Sequence, residues 1–289
     1  MIYLFLQAVF SSLFALFIKW VGNRKENGKK EDIFVVGAIN YIAAAIAILP
    51  TFLTNDVSEL SPGAMWTGGA MGAIYFIAFF FVIYAIKWVG VSATTVVGVL
   101  SILFPIAFAA FYWDVKPNQT QIIGIGLALF SLTLIGGKKG GMQVERPWFA
   151  PIVLFTFFLL CGGSRLAQET FEHVSASEQR PTFLITAFTV AAVPSIILLA
   201  YLLIYKRQRL IMSEVGFGIC LGLANILQSH FILKSLEYYP GYIVFPATSA
   251  GGIIITTWVA TSFLQESINR RTAIGIGIAV IALFLLNWS

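Results

Sequence analysis

The chain has 289 residues, of which 58% are hydrophobic and 11% charged, too little polar surface to cover a soluble globule of this length, so it belongs in a bilayer. The formal net charge of +5 would suggest an anionic partner for a soluble protein, but here most Lys and Arg sit in short loops between apolar runs, where charge reports topology and no nucleic-acid face is expected. Cys161 and Cys220 each lie in an apolar run with no second Cys or His at a ligand-like spacing, so both read as small buried hydrophobes, and no disulfide, metal or other cofactor is expected.

A helix crosses the hydrocarbon with roughly 20 apolar residues. On that ruler ten spans follow one another, at approximately 2–22, 33–53, 64–86, 89–112 and 120–136, then 151–172, 182–205, 213–235, 241–264 and 272–288. The first begins at once, with no basic stretch ahead of it and no small-residue cleavage site behind it, and is expected to be retained. Period-two alternation is absent and a lone apolar run in lipid must satisfy its own backbone, so every span is expected to be a helix. Trp20, Trp66, Trp88, Trp113, Trp148 and Trp288 fall near the ends of runs, where amphipathic rings favour the interface, while Trp258 lies inside one and reads as packing.

The stretch 137–149, GKKGGMQVERPWF, is the richest in Gly, charge and Pro and divides the spans five and five. Residues 122–132, IIGIGLALFSL, return 151 positions later as 273–283, AIGIGIAVIAL, and the same step lays Gly90 on Gly241, Asn118 on Asn269, Gly124 on Gly275 and Gly126 on Gly277. Two five-helix repeats are therefore expected, 1–140 and 141–289. Of the 18 basic residues, 14 fall in the odd-numbered loops, while the even-numbered loops hold Lys116, Arg180 and Lys234 and a span holds Arg165. The positive-inside rule puts the odd loops in the cytoplasm, which leaves both termini outside a cell (inner) membrane. With an odd number of spans per half the repeats are inverted, the design by which two copies rocking on one another open a midplane site to each side in turn.

Polar residues inside the spans are the candidates for such a site. Asn40 and Tyr41 in span two, Tyr75 and Tyr84 in span three, and Thr94 and Thr95 in span four offer a polar and aromatic wall. Span six carries Arg165, Gln168, Glu169 and Glu172 at i, i+3, i+4 and i+7, one face of a helix. Translocon scales put an Arg or Asp at a helix centre at about +2.5 to +3.5 kcal/mol, so such residues face a cavity or a partner rather than lipid. Arg165 can attract a substrate carboxylate or phosphate and Glu169 can carry a coupling proton; the competing reading is an Arg165–Glu169 pair that staples span six to a neighbour. For Glu172 and His173 a place in the outer interface is the simpler reading. In span eight, Asn225, Gln228 and Ser229 share a face and can line the cavity or bond between helices, and His230 can relay protons or rest as a helix contact. The Gly residues of spans five and ten, with Gly68, Gly69 and Gly72, read as close packing.

An acidic or amide residue just after each half's fourth span, followed by a G-x-G helix, is carried by Asp114 with Gly124 and Gly126, then by Gln265 and Glu266 with Gly275 and Gly277. In this the chain resembles the drug/metabolite transporter superfamily, EamA type. The resemblance implies a basket of ten helices with a central cavity, and export or import of amino acids, metabolites or drugs; it also implies cytoplasmic termini, where the charges of this chain argue the reverse.

No H-E-x-x-H, G-x-S-x-G, P-loop or magnesium-holding acidic cluster is present, so an enzyme is not expected. The expectation is an all-α polytopic membrane protein, a secondary transporter with a small organic solute and membrane lipids as partners, drawing on a proton gradient if it works uphill. Ten spans can enclose a cavity alone, so a monomer is expected, with the Gly-rich faces of spans five and ten open to a dimer. The alternative class is a non-transport protein such as an intramembrane lipid-modifying enzyme or lipid-binding scaffold, to which inverted repeats would bring no advantage.

Overall fold

In hydrocarbon no water reaches the backbone, so a chain this apolar satisfies its N–H and C=O groups along helices. The computed structural model describes residues 1–23, 25–26, 29–30, 33–54, 60–88, 94, 97–98, 100–114, 117–136, 149–262 and 270–286. Among them ten α-helices run in order: α1 (Ile2–Asn23), α2 (Ile33–Thr54), α3 (Pro62–Trp88), α4 (Leu103–Tyr112), α5 (Gln119–Gly136), α6 (Ala150–Val174), α7 (Arg180–Ile204), α8 (Met212–Leu236), α9 (Gly241–Ser262) and α10 (Arg270–Leu286). Five of them, α2, α3, α6, α7 and α8, are long and apolar enough to cross a membrane by length and composition; the apolar stretches of the other five are shorter among the described residues.

Nine helices start and stop within two residues of the expected spans wherever both ends are described. The fourth span differs. It turns at Ser101 and Ile102 before α4 begins, because Pro105 has no N–H to give the Ser101 carbonyl four residues back and its ring crowds that carbonyl. The carbonyl is met instead by the Phe104 amide at 3.2 Å. In the first loop Lys25–Glu26 pairs antiparallel with Lys29–Lys30, a two-residue ladder across the Asn27–Gly28 hairpin signal that the apolar pattern did not reveal.

Helix α5 packs along α10, α3 along α6 and α7, α2 along α7 and α8, α1 along α8 and α9, and α4 against α6. Moving each helix five places on maps α3–α6 onto α1–α8, α3–α7 onto α2–α8 and α4–α6 onto α1–α9, and returns α2–α7 and α5–α10 to themselves. At the centre Phe171, Phe183, Phe188 and Phe245 are fully buried, in one apolar cluster drawn largely from α2, α3, α6, α7, α8 and α9. Phe5, Ile46, Leu53, Phe155, Ile197 and Phe284 are more than half exposed on the outside of the bundle, a distribution a soluble protein avoids and a lipid-facing surface requires.

Close approach depends on two matched G-x-x-x-G steps, Gly68 to Gly72 on α3 and Gly218 to Gly222 on α8. A methyl at Gly68 would stand 2.5 Å from the Phe183 carbonyl oxygen of α7, and one at Gly222 2.6 Å from the Asn40 carbonyl oxygen of α2. Neither neighbour is a side chain that can rotate away. Gly222→Leu is thus expected to drive α8 off α2 at a cost of about 1–3 kcal/mol or more, read as loss of monodisperse protein and a lower Tm in detergent; Gly216→Ala, with nothing within 4 Å, is expected to leave both unchanged. The G-x-G steps of α5 and α10 behave differently from the packing expected of them. Gly124 and Gly275 are buried, but Gly126 and Gly277 are exposed with open space where a Cβ would stand.

Candidate functional site

Helix α6 is unbroken through Gly162 and Gly163. Gly162 receives the Phe104 side chain of α4, whose Cβ lies 2.7 Å from where a Gly162 Cβ would be. That approach carries Arg165 to the break in the fourth span. Its Nη1 donates to the Gly98 carbonyl at 3.1 Å and to the Ser101 hydroxyl, and the same hydroxyl donates to Gly98 at 2.6 Å. A span broken by Pro105 thus offers polar groups to a guanidinium held in the membrane.

Arg165 also lines a cavity of about 190 Å³ enclosed by α1, α3, α6, α8 and α9. From α6 come Arg165 and Gln168, from α3 Tyr75, and from α8 Gln228 and Ser229. Gln7 and Ser11 of α1, Ser164 of α6, and Thr248 and Ser249 of α9 complete a largely polar lining in which Arg165 carries the one full charge among the described residues. Gln168 Nε2 donates to the Tyr75 hydroxyl at 3.4 Å, that hydroxyl meets Ser229 Oγ at 3.4 Å, and Tyr75 is held from behind by the Tyr41 hydroxyl on its carbonyl at 2.9 Å.

Asn225 and Asn40 stand one layer back. Gln228 Nε2 donates to Asn225 Oδ1 at 3.1 Å and Asn225 Nδ2 to Asn40 Oδ1 at 3.3 Å, a chain of amides from the cavity into the α2–α8 contact. Both asparagines are buried and neither is among the lining residues, so they brace Gln228 from behind. His230 lies off the lining, with its ring edge-on to Phe231 at 5.5 Å, and Tyr84 faces outward.

Glu169 and Arg165 do not pair, though they are one turn apart. The Glu169 carboxylate, 4% exposed, turns to the start of α9, where Oε1 accepts from the Gly241 amide at 3.2 Å. Its Oε2 is buried with no hydrogen-bond partner. A Cβ at Gly241 would overlap the carboxylate, so the glycine is what lets the acid approach the helix end. Nearer the end of α6, Glu172 Oε1 is 3.4 Å from Arg180 Nε of α7, whose Nη2 is 2.6 Å from Glu237 Oε2, an ion pair out of line for a hydrogen bond. His173 stacks on Trp113 at 4.0 Å. These residues tie helix ends together and are not among the cavity's lining residues.

Gln7, Ser11, Gly98, Ser101, Thr248 and Ser249 were not singled out as site residues from sequence. A lone amide with a serine one turn later in the apolar first span was the available signal for Gln7. Thr95, Gln265, Glu266 and Asn269 lie outside the described residues.

Residues 1–137 match the model of the EamA-like transporter family, which belongs to the drug/metabolite transporter superfamily. An uncharacterized protein of Haemophilus influenzae (strain ATCC 51907 / DSM 11121 / KW20 / Rd) is 24% identical over 283 residues, covering 90% of this chain and 91% of the relative. A crystal structure of a protein with 16% sequence identity superimposes with a TM-score of 0.76 over 99% of this chain and 95% of that one, which shows a shared fold.

Proposed function

We propose that this chain, whose residues 1–137 match the model of the EamA-like transporter family, is a secondary transporter that moves a small anionic or zwitterionic organic solute across the cytoplasmic membrane by alternating access. The observation that carries the reading is the Arg165 guanidinium set in the wall of a polar cavity between helices of both halves. A charge costly to bury is retained where it meets solute rather than lipid.

Residues 1–140 and 141–289 act as two inverted repeats of five spans each, supported by the 151-residue sequence step and by helix contacts that survive exchange of the halves. The odd-numbered loops face the cytoplasm and the protein works as a monomer. At about 190 Å³ the cavity is smaller than the roughly 300–1,000 Å³ that holds drug-sized ligands, which favours an amino acid or metabolite over a drug. Gln168, Gln228 and Tyr75 complete the binding wall, Asn225 and Asn40 position Gln228, and Glu169 carries the coupling proton.

The test is uptake of a mixed amino-acid and organic-acid pool into sealed proteoliposomes with and without an imposed pH gradient. Solute accumulation that requires both the protein and the gradient is the expected result. Entry no faster than into protein-free vesicles would return the chain to the non-transport class of membrane proteins.

A further inference from the structure

The cavity lies close to one end of the bundle, and that end is tied together by charge. Gln168 stands six residues from the Val174 end of α6, Ile232 four from the Leu236 end of α8 and Phe245 four from the Gly241 start of α9. At 1.5 Å per residue these are distances of about 6–9 Å. The opposite ends of the same three helices are 11, 16 and 13 residues from the nearest lining residue, or about 16–24 Å. Across the near end, Arg180 at the start of α7 stands between two carboxylates, Glu172 of α6 at 3.4 Å and Glu237 at the C-terminal cap of α8 at 2.6 Å. Arg180 is 7% exposed, so its guanidinium is set into the end of the bundle rather than trailing in solvent. The start of α3 joins the same end, where the Ser61 amide donates to Gln179 Oε1 at 3.2 Å.

We infer, resting on the transporter reading, that Glu172, Arg180 and Glu237 form the latch of a gate at the end of the bundle that carries the α6–α7 and α8–α9 loops, and that they part when the cavity opens there. Arg180 belongs to α7, which contributes no residue to the cavity lining, while its two partners belong to α6 and α8, which do. The latch thus fastens two wall helices to a third element outside the wall, and parting it frees their ends to separate. Charge suits this place, because ionic groups that lose one another at the end of the bundle are hydrated by the solution that enters, whereas an apolar seal would expose its surface to that solution. One guanidinium serves both carboxylates, so both contacts hold or fail through a single side chain. In a carrier of inverted repeats, weakening the contacts that hold one end together shifts the population toward opening at that end and away from opening at the other.

The experiment reads access to the cavity directly and needs no solute. A reporter, Ser249→Cys on the α9 wall of the cavity, is placed in the full chain with Cys161→Ala and Cys220→Ala, and its rate of modification by a membrane-impermeant trimethylammonium-ethyl methanethiosulfonate is measured in right-side-out and inverted membrane vesicles. Ala176→Cys, at an exposed position in the α6–α7 loop, identifies the preparation that presents the latched end to the reagent. With the latch intact the reporter is expected to react from that end at least about tenfold more slowly than Ala176→Cys. Adding Glu172→Gln together with Arg180→Gln, which leaves neither of that pair charged and unpartnered, is expected to raise the rate from the latched end at least about tenfold and to lower the rate from the opposite end. Glu237→Gln, on a side chain 31% exposed and so the milder change, is expected to move both rates in the same directions by a smaller factor, and its result stands if the double variant does not yield monodisperse protein. Unchanged rates in variants that elute as the latch-intact protein does overturn the inference. So do rates that rise alike from both ends, the mark of a merely structural network, and so does a latch-intact reporter that reacts from the latched end as fast as Ala176→Cys. Each of these leaves the transporter reading in place, whereas a reporter modified from neither end in any variant overturns both.

Discussion

Arg165→Ala is expected to reduce uptake of anionic and zwitterionic solutes at least about 100-fold while leaving the protein folded. A charge-assisted hydrogen bond is worth about 1.5–3 kcal/mol, and a guanidinium that meets a carboxylate with two of them accounts for a loss of that size. The expectation of intact folding follows from the anchor. Arg165 Nη1 donates to the Gly98 carbonyl, but the Ser101 hydroxyl donates to that carbonyl as well at 2.6 Å, so truncation leaves it a partner. It also removes a charge whose residence in the membrane is itself costly. Arg165→Lys keeps the charge but not the planar fork, and is expected to recover part of the uptake with a raised KM. Wild-type rates in Arg165→Ala, measured on protein that elutes as wild type does from size-exclusion chromatography, would make the α6 stripe structural and sink the assignment.

The helices were legible because length and hydropathy suffice in lipid: a run of about 20 apolar residues can do little but form a helix. The 151-residue step was legible for the same reason, since Gly at matched places reports matched backbones. What the pattern did not show is where a helix stops being one. The fourth span reads as continuous apolar residues through Ser101, and the turn falls where the Ser101 carbonyl meets no N–H from Pro105.

The site was legible as a stripe and not as a set of partners. Arg165, Gln168 and Gln228 were readable because polar residues in a span need an excuse. Their spacing could not reveal that Arg165 reaches back 67 residues to Gly98, or that Glu169 reaches forward 72 to Gly241, since sequence-distant contacts leave no periodicity. Nor does the repeat predict the site. The step that matches glycines lays Arg165 on Phe14, Gln168 on Phe17 and Glu169 on Ile18. In α1 those three apolar residues pack against Val36, Phe217 and Leu221, and the void beside Phe14 and Ile18 is only about 10 Å³. The helix contacts are alike in the two halves, and the charged stripe lies in one of them.

Glu169→Gln is expected to abolish solute accumulation driven by a pH gradient while sparing exchange of solute across the membrane. Glutamine matches glutamate in size and keeps an oxygen for the Gly241 amide, so the contact between α6 and α9 at 3.2 Å survives the change. What is lost is the ability to gain and release a proton at the buried oxygen that has no partner. That ability reaches the cavity through α9. The Glu169 carboxylate sits at the helix's N-terminal end, where negative charge is favourable, and the following turns of α9 present Phe245, Thr248 and Ser249 to the cavity. Under the proposed function, neutralising the acid weakens its hold on the end of a helix that lines the cavity, and the prediction rests on that link between proton occupancy and solute occupancy. In proteoliposomes the variant is expected to bring internal solute only to the external concentration under a gradient that concentrates it in wild type, with counterflow within about twofold of wild type. Gly241→Val, whose side chain would overlap the carboxylate, is expected to damage accumulation and exchange together, because it displaces α9 instead of changing a charge. Accumulation by Glu169→Gln equal to wild type would remove Glu169 from the coupling step, and the proton would then have to be sought at His230 or Glu172.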